Sequence, residues 1–347
     1  LLLNKKSHII VYQKRIYRFQ NMKKLLLGIL MLTGASMVYA QQDPQLTHFF
    51  RKKLNYNPAY AGTNQGKICA SLDYRSQWLG FGSTDKGLTP ETYVGSIHGS
   101  LFNGSLGVGL NIMKDAQGFE STLIPSVSIA YHKSFADESK LSLGVGIGLI
   151  QKTLDGAKLK AKDPNDNLIP NNSVAGNSMD FNFGVYYKKP NLSIFRDVYA
   201  GLSGTHLNQA TVTYGNIKYN AKMHYYLMMG GIYDLNGGML TLEPNIFIKN
   251  AVKTSFDLNV MTTYNSKYMG GLTYRNIDAI AILAGMNFGS SSNNEEATSV
   301  MVSYDLTTSK LSQYSNGTFE ISLRHCFGFK IERTPPPIRP IYTPRFL

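Results

Sequence analysis

Leu141-Ser142-Leu143-Gly144-Val145-Gly146-Ile147-Gly148-Leu149 alternates without a break between a bulky aliphatic residue and one no larger than serine. Successive side chains of an extended strand point to opposite faces, so one face here is a continuous aliphatic strip and the other is nearly bare. The same period of two recurs along the chain. Leu106, Val108, Leu110 and Ile112 interleave with Gly107, Gly109 and Asn111, and Leu123, Val127, Ile129 and Tyr131 oppose Ser126, Ser128 and His132. Met179, Phe181, Phe183 and Val185 oppose Asp180, Asn182 and Gly184. Phe256, Leu258 and Val260 alternate with Asp257 and Asn259, and Val300, Val302, Tyr304 and Leu306 with Ser303 and Asp305.

A soluble sandwich or propeller also alternates, but its polar face meets bulk water and favours Lys, Glu and Thr. Here the second face is rich in Gly, Ser and Asn, which suits a confined lumen. The chain has 22 Tyr and 17 Phe with only 16% charged residues, and aromatic residues fall near strand ends as an interfacial girdle requires. Lipid as the outside solvent accounts for both. The expected fold is therefore all-β, a transmembrane antiparallel β-barrel of about fourteen strands in the cell outer membrane. The strands are expected near 68–77, 91–101, 105–114, 121–134, 140–152, 179–188, 197–207, 222–234, 239–249, 254–264, 267–275, 279–288, 298–307 and 318–329. If the first rises from the periplasm, the periplasmic turns are short, as at Asn103-Gly104, Ala136–Ser139, Leu235–Gly238 and Asn265-Ser266. The outer connectors include the long 153–178, 208–221 and 78–90, while 189–196 and 289–297 are long for periplasmic turns.

Upstream of the barrel, Met22-Lys23-Lys24 is a positive n-region, Leu25 to Thr33 an apolar h-region, and Val38-Tyr39-Ala40 a cleavage site, together a secretory signal peptide. The apolar run is shorter than the roughly 20 residues a spanning helix needs. Residues 1–21 contain no Met and read as a mis-called start. The expected organisation is 1–40 upstream extension plus cleaved signal, 41–66 periplasmic or plug segment, 67–329 barrel, and 330–347 a Pro-rich periplasmic tail. Residues 41–66 are too polar for a lipid-facing strand, and the inward glycines of the third and fifth strands leave room for them, with Asn57-Pro58 setting a turn. The tail is expected to be disordered, with a docking segment for a periplasmic partner as the alternative.

Net charge is +13, but residues 1–40 carry seven Lys/Arg and no acids, so 28 basic against 22 acidic residues remain, or +6. That balance does not support nucleic-acid binding. Export permits disulfides. Cys69 lies in the first strand and Cys326 in the last, which must pair to close a barrel. Parity turns both inward, near the periplasmic end, so a Cys69–Cys326 disulfide across the seam is the expectation, and two free cysteines offset by register the alternative. Asp73, Arg75, Asp180, Glu243, Lys249, Asp257, Arg275, Asp305, Glu320 and Arg324 also face inward. Both signs are present, which favours neutralising pairs over an ion-selective path.

No catalytic centre, cofactor or metal is expected. His98, His132, His206, His224 and His325 are scattered, with no His-x-x-x-His or Cys-x-x-Cys spacing, and no Gly-x-Ser-x-Gly elbow occurs. Gly144-Val145-Gly146-Ile147-Gly148 sits within an alternating strand with no helix after it, so it is lumen packing and not a nucleotide loop.

Several blocks then suggest a family. Gln42-Asp43-Pro44-Gln45 precedes Asn57-Pro58-Ala59-Tyr60-Ala61-Gly62, and the first strand carries Tyr74-Arg75-Ser76-Gln77-Trp78. Gly201-Leu202-Ser203 with His206-Leu207, Gly271-Leu272-Thr273-Tyr274-Arg275 with Asp278-Ala279, Tyr304-Asp305-Leu306 and Asn316-Gly317-Thr318-Phe319-Glu320-Ile321-Ser322-Leu323 follow in order. This resembles the PorP/SprF family of outer-membrane proteins of Bacteroidetes, associated with type IX secretion and gliding motility, over about 41–329. His48–Leu54 departs from it, being more basic than the expected aromatic and apolar run. The resemblance implies a non-enzymatic role, either within the secretion machinery or as partner of a secreted surface protein such as an adhesin, helping to export or anchor it. A passive diffusion or hydrophobic-compound transport barrel is the alternative. The expected partners are a secreted client, type IX secretion components and outer-membrane lipid.

Overall fold

A computed structural model of the chain describes residues 43–81, 89–159, 169–251, 253–276, 278–289 and 297–328. The expected signal peptide and the Pro-rich tail lie outside these. Fourteen strands close into one antiparallel barrel. They are β1 (Lys67–Ser76), β2 (Glu91–Leu101), β3 (Leu106–Gln117), β4 (Glu120–Ser134), β5 (Lys140–Asp155), β6 (Ser173–Leu192) and β7 (Phe195–Thr205), then seven more after a small hairpin. The hairpin is β8 (Thr211–Tyr214) with β9 (Ile217–Asn220). The barrel resumes with β10 (His224–Leu235), β11 (Leu240–Asn250), β12 (Thr254–Tyr264), β13 (Tyr268–Arg275), β14 (Ala279–Phe288), β15 (Ala297–Thr307) and β16 (Thr318–Gly328). Each barrel strand pairs with its sequence neighbour, β7 pairs with β10, and β16 returns to β1.

The alternation sets which side faces out. In β5 Leu143, Val145 and Ile147 are exposed while Ser142, Gly144, Gly146 and Gly148 are buried. Leu72, Leu110, Val127, Leu202, Leu272 and Ile282 are likewise exposed, a band that only lipid covers favourably. Tyr264 and Tyr268 mark one rim of that band, and Tyr93, Tyr274 and Tyr304 the other.

One barrel end carries tight turns and the other the longer connectors; they are called here the turn end and the loop end. Two connectors differ from expectation. Residues 189–196 are not a long turn: β6 runs to Leu192 and β7 starts at Phe195, leaving Ser193-Ile194 between paired strands. The Lys188-Lys189-Pro190-Asn191 run hides this because it carries no apolar alternation. The expected outer loop 153–178 is shorter, because β5 extends to Asp155 and β6 begins at Ser173. Onto these extensions folds the β8–β9 hairpin, within the expected loop 208–221. Its Val212 and Tyr214 are buried with Ile150 of β5 and pack against Val174 of β6.

The core is inside the barrel. Residues 43–66 thread the lumen as short helical turns, Phe49–Arg51, Lys53–Tyr56 and Pro58–Tyr60. Leu46, Phe49, Phe50 and Tyr56 meet Tyr226, Met228, Phe247, Met261 and Met301 of the wall. Phe49 stacks on Phe247 at 5.1 Å, which in turn stacks on Tyr226 at 5.6 Å. Burial of each large apolar side chain contributes about 1.5–3 kcal/mol.

Candidate functional site

The lumen and its plug form the site. The plug begins at the loop end, where Asp43 meets His206 and His224. It leaves at the turn end, where Gln65 donates to the carbonyl of Asn103 at 2.9 Å and accepts from Lys140 at 2.6 Å. The segment therefore spans the lumen before entering β1.

The Asn57–Gly62 block seats it. The Asn57 side chain caps the Pro58–Tyr60 turn, its Oδ1 accepting from Ala59 N at 2.9 Å, while its Nδ2 donates to the Val185 carbonyl at 3.0 Å. Ser203 donates to the Tyr56 carbonyl at 2.7 Å. His132 bonds the Ala61 carbonyl at 2.9 Å, and Gly62 N donates to His98 Nδ1 at 3.2 Å. Tyr60 meets Tyr186 edge-on at 5.4 Å. The wall opposite is glycine for steric reasons. A Cβ on Gly107 would lie 1.9 Å from the Ala61 oxygen, on Gly144 2.3 Å from Ala59 N, and on Gly184 2.0 Å from Asn57 Oδ1. Gly62 takes φ +70, and a Cβ there would lie 2.5 Å from Gly107 Cα. Small residues on both sides let two backbones touch.

Above this seat the inward charges condense. Arg75 binds Glu320 at 3.0 Å and Asp305 at 3.1 Å; Arg275 binds Asp305 at 3.1 Å and Asp257 at 3.5 Å; Lys249 binds Asp257 at 2.9 Å. The plug enters this network. Thr47 N and His48 N donate to Glu320 at 2.7 and 3.1 Å, and Thr47 Oγ1 donates to Asp305 at 2.8 Å. Lys52 pairs with Asp73. The basic departure at His48–Leu54 thus has acidic wall partners. Burial, with Arg51 and Lys52 nearby, outweighs Glu320 and Asp305 and pushes His48 down to about 4.

Of the other inward residues, Asp180 binds His206 Nδ1 at 2.8 Å, outside the arginine network. Glu243 and Arg324 line a cavity of about 410 Å³ at the turn end, shared with Arg51, Lys53 and Tyr60 of the plug. Lys53 Nζ sits 3.4 Å from the centre of the Tyr199 ring, and burial lowers its pKa. Trp78 follows β1 at φ 56, its N–H donating to Thr318 at 3.1 Å across the seam. Cys69 and Cys326 stand opposite in register and are joined in a disulfide.

Sequence reasoning missed the loop-end cluster of Asp43, His206 and His224. Among the described residues these are one of two groups whose ligand atoms converge closely enough to hold an ion. Desolvation works against the charges here, but His224 and His206 hold the Asp43 carboxyl well below its usual range. Burial likewise opposes His206, yet Asp43 and Asp180 raise it to about 10.

Residues 38–325 match the family described as type IX secretion system membrane protein PorP/SprF. No curated protein matches the chain. Solved structures similar to it include the monoaromatic hydrocarbon channel CymD, at 12% identity over 81% of this chain and 94% of that one, TM-score 0.49. A Pseudomonas aeruginosa FadL homologue is 10% identical over 79% and 93%, TM-score 0.43. The translocator domain of the Neisseria meningitidis autotransporter NalP is 11% identical over 81% and 96%, TM-score 0.41. At such identities these likenesses concern the barrel fold alone.

Proposed function

The chain belongs to the PorP/SprF family of type IX secretion system membrane proteins, and on that premise we propose that it is a non-enzymatic outer-membrane partner for a secreted protein, helping to export it or to hold it at the surface. One observation carries this reading. The chain's own residues 43–66 run through the lumen from the loop end to the turn end, seated by the Asn57–Gly62 block and tied into the buried network at Thr47, with a cavity of about 410 Å³ left at the turn end. A barrel so threaded offers partners its loops, its turn end and its plug, and not a wide aqueous passage. A surface protein such as an adhesin, or a periplasmic component of the machinery, is the class of partner expected.

Purification from native membranes in mild detergent, with identification of co-purifying proteins, tests it. A large secreted protein or secretion components are expected. Recovery of the barrel alone, together with steady conductance of the unsubstituted protein in planar bilayers, would instead favour the diffusion channel.

A further inference from the structure

Asp43, His206 and His224 come from the start of the plug and from the two ends of the connector that carries the β8–β9 hairpin. We propose that they bind one divalent transition-metal ion, zinc by the chemistry of the donors, which staples the plug to the barrel wall at the base of that hairpin.

The donor set is two imidazoles and a carboxylate, a combination suited to zinc and its first-row neighbours. His206 Nε2 lies 3.2 and 3.3 Å from the two Asp43 oxygens, and His224 Nδ1 lies 2.9 Å from Asp43 Oδ2. Bonds of about 2.0–2.1 Å to a tetrahedral ion set donors about 3.3 Å apart. The two edges to Asp43 lie within a few tenths of an ångström of that spacing, and the third, between the two imidazole nitrogens, is within 4.8 Å. The Tyr226 hydroxyl, 3.0 Å from Asp43 Oδ2 and 3.3 Å from His224 Nδ1, borders the remaining position.

The surroundings of His206 are those of a ligand. Its Nδ1 faces Asp180 Oδ1 at 2.8 Å, and the other Asp180 oxygen accepts from Asn182 Nδ2 at 3.1 Å. Asn182 Oδ1 in turn accepts from His206 N at 3.0 Å. A carboxylate behind an imidazole keeps the proton on Nδ1 and aims the Nε2 lone pair forward. Without the ion a proton bridges Nε2 and the Asp43 carboxylate; the ion takes its place there and releases that proton. His224 Nε2 is buried with no hydrogen-bond partner among the described residues, so ligation through Nδ1 leaves its N–H without an acceptor, a cost that the metal bonds have to offset. Two carboxylates, Asp43 and Asp180, with two neutral imidazoles balance one divalent charge.

The sequence expectation of no metal rested on local spacing. These ligands are separated by 163 and 181 residues from Asp43, so no short motif could show them.

The test uses the full-length processed protein, purified without a polyhistidine tag, stripped with chelator and dialysed against zinc. One zinc per chain is expected by elemental mass spectrometry, and cobalt should give the visible absorption of a tetrahedral N/O site. Asp43→Ala and His224→Ala should abolish both signals. Asp180→Asn, which removes a positioning residue, should weaken zinc binding about 10–100-fold. If a variant fails to fold, zinc protection of His206 and His224 from carbethoxylation in the unsubstituted protein replaces it. Absence of stoichiometric zinc and of cobalt absorption would reduce the cluster to a hydrogen-bonded ion triad and overturn the proposal. So would binding that persists in the folded variants, or zinc that leaves both histidines reactive.

Discussion

Arg75 and Arg275, on β1 and β13, reach the same oxygen of Asp305, each at 3.1 Å. Both also donate to the plug's Thr47 hydroxyl, at 2.8 and 3.2 Å. All four side chains are buried. Two guanidiniums in one dry space repel each other unless the acids between them are in place, so the network holds as a unit. Arg275→Met leaves Asp257 and Asp305 short of a partner and is expected to cost about 3–5 kcal/mol in denaturant unfolding of the folded barrel. Thr47→Val spares the wall but deprives both arginines of an acceptor, costing about 1–3 kcal/mol. Equal losses from the two variants would contradict this division.

The Cys69–Cys326 bond closes the seam between β1 and β16 across 257 residues of sequence. Reduction of the denatured native protein should add the mass of two hydrogens. Cys69→Ser with Cys326→Ser should lower stability by about 2–4 kcal/mol while the barrel still forms. Mass unchanged by reductant would mean two free thiols.

The strands were legible because lipid imposes a strict alternation, and β2, β12 and β14 have the expected bounds. The extension of β6 to Leu192 was not, because Lys188–Asn191 carry no apolar alternation and the extension is held by backbone pairing. Parity placed Arg75, Asp257, Arg275, Asp305 and Glu320 on the inner face, but facing says nothing of distance around a ring. It could not separate these from Glu243 and Arg324, which line the turn-end cavity. The plug's partners depend on how the segment folds within the closed lumen, so Thr47 carried no local signal at all.

His48 gives the pH dependence a sign. Its imidazole is fully buried and pushed down to about 4 by burial, aided by Arg51 and Lys52 against Glu320 and Asp305. The unfolded chain binds this proton near pH 6.5, so between about 6.5 and 4 the unfolded state holds more protons and stability falls as pH falls. Below about 4 this contribution levels off. The loss amounts to about 3 kcal/mol at most. Unfolding of the unsubstituted protein and of His48→Asn across that window measures it. Parallel pH profiles would mean His48 does not titrate there.

The seat of the plug makes the last prediction. A Cβ on Gly144 meets the backbone of Ala59 and Pro58, which cannot rotate away as a side chain would. Gly144→Ala therefore has to lift the Asn57–Gly62 block from the wall, at about 1–3 kcal/mol of overpacking. Gly270→Ala is the control, because the nearest atom to its Cβ is 3.8 Å away. Conductance in planar bilayers should rise several-fold for Gly144→Ala and stay unchanged for Gly270→Ala. If the plug fills the lumen, deletion of residues 42–56 should raise it further. Equal currents from all of these proteins would mean that residues 43–66 do not limit passage, and the reading of the barrel as a closed partner would lose its support.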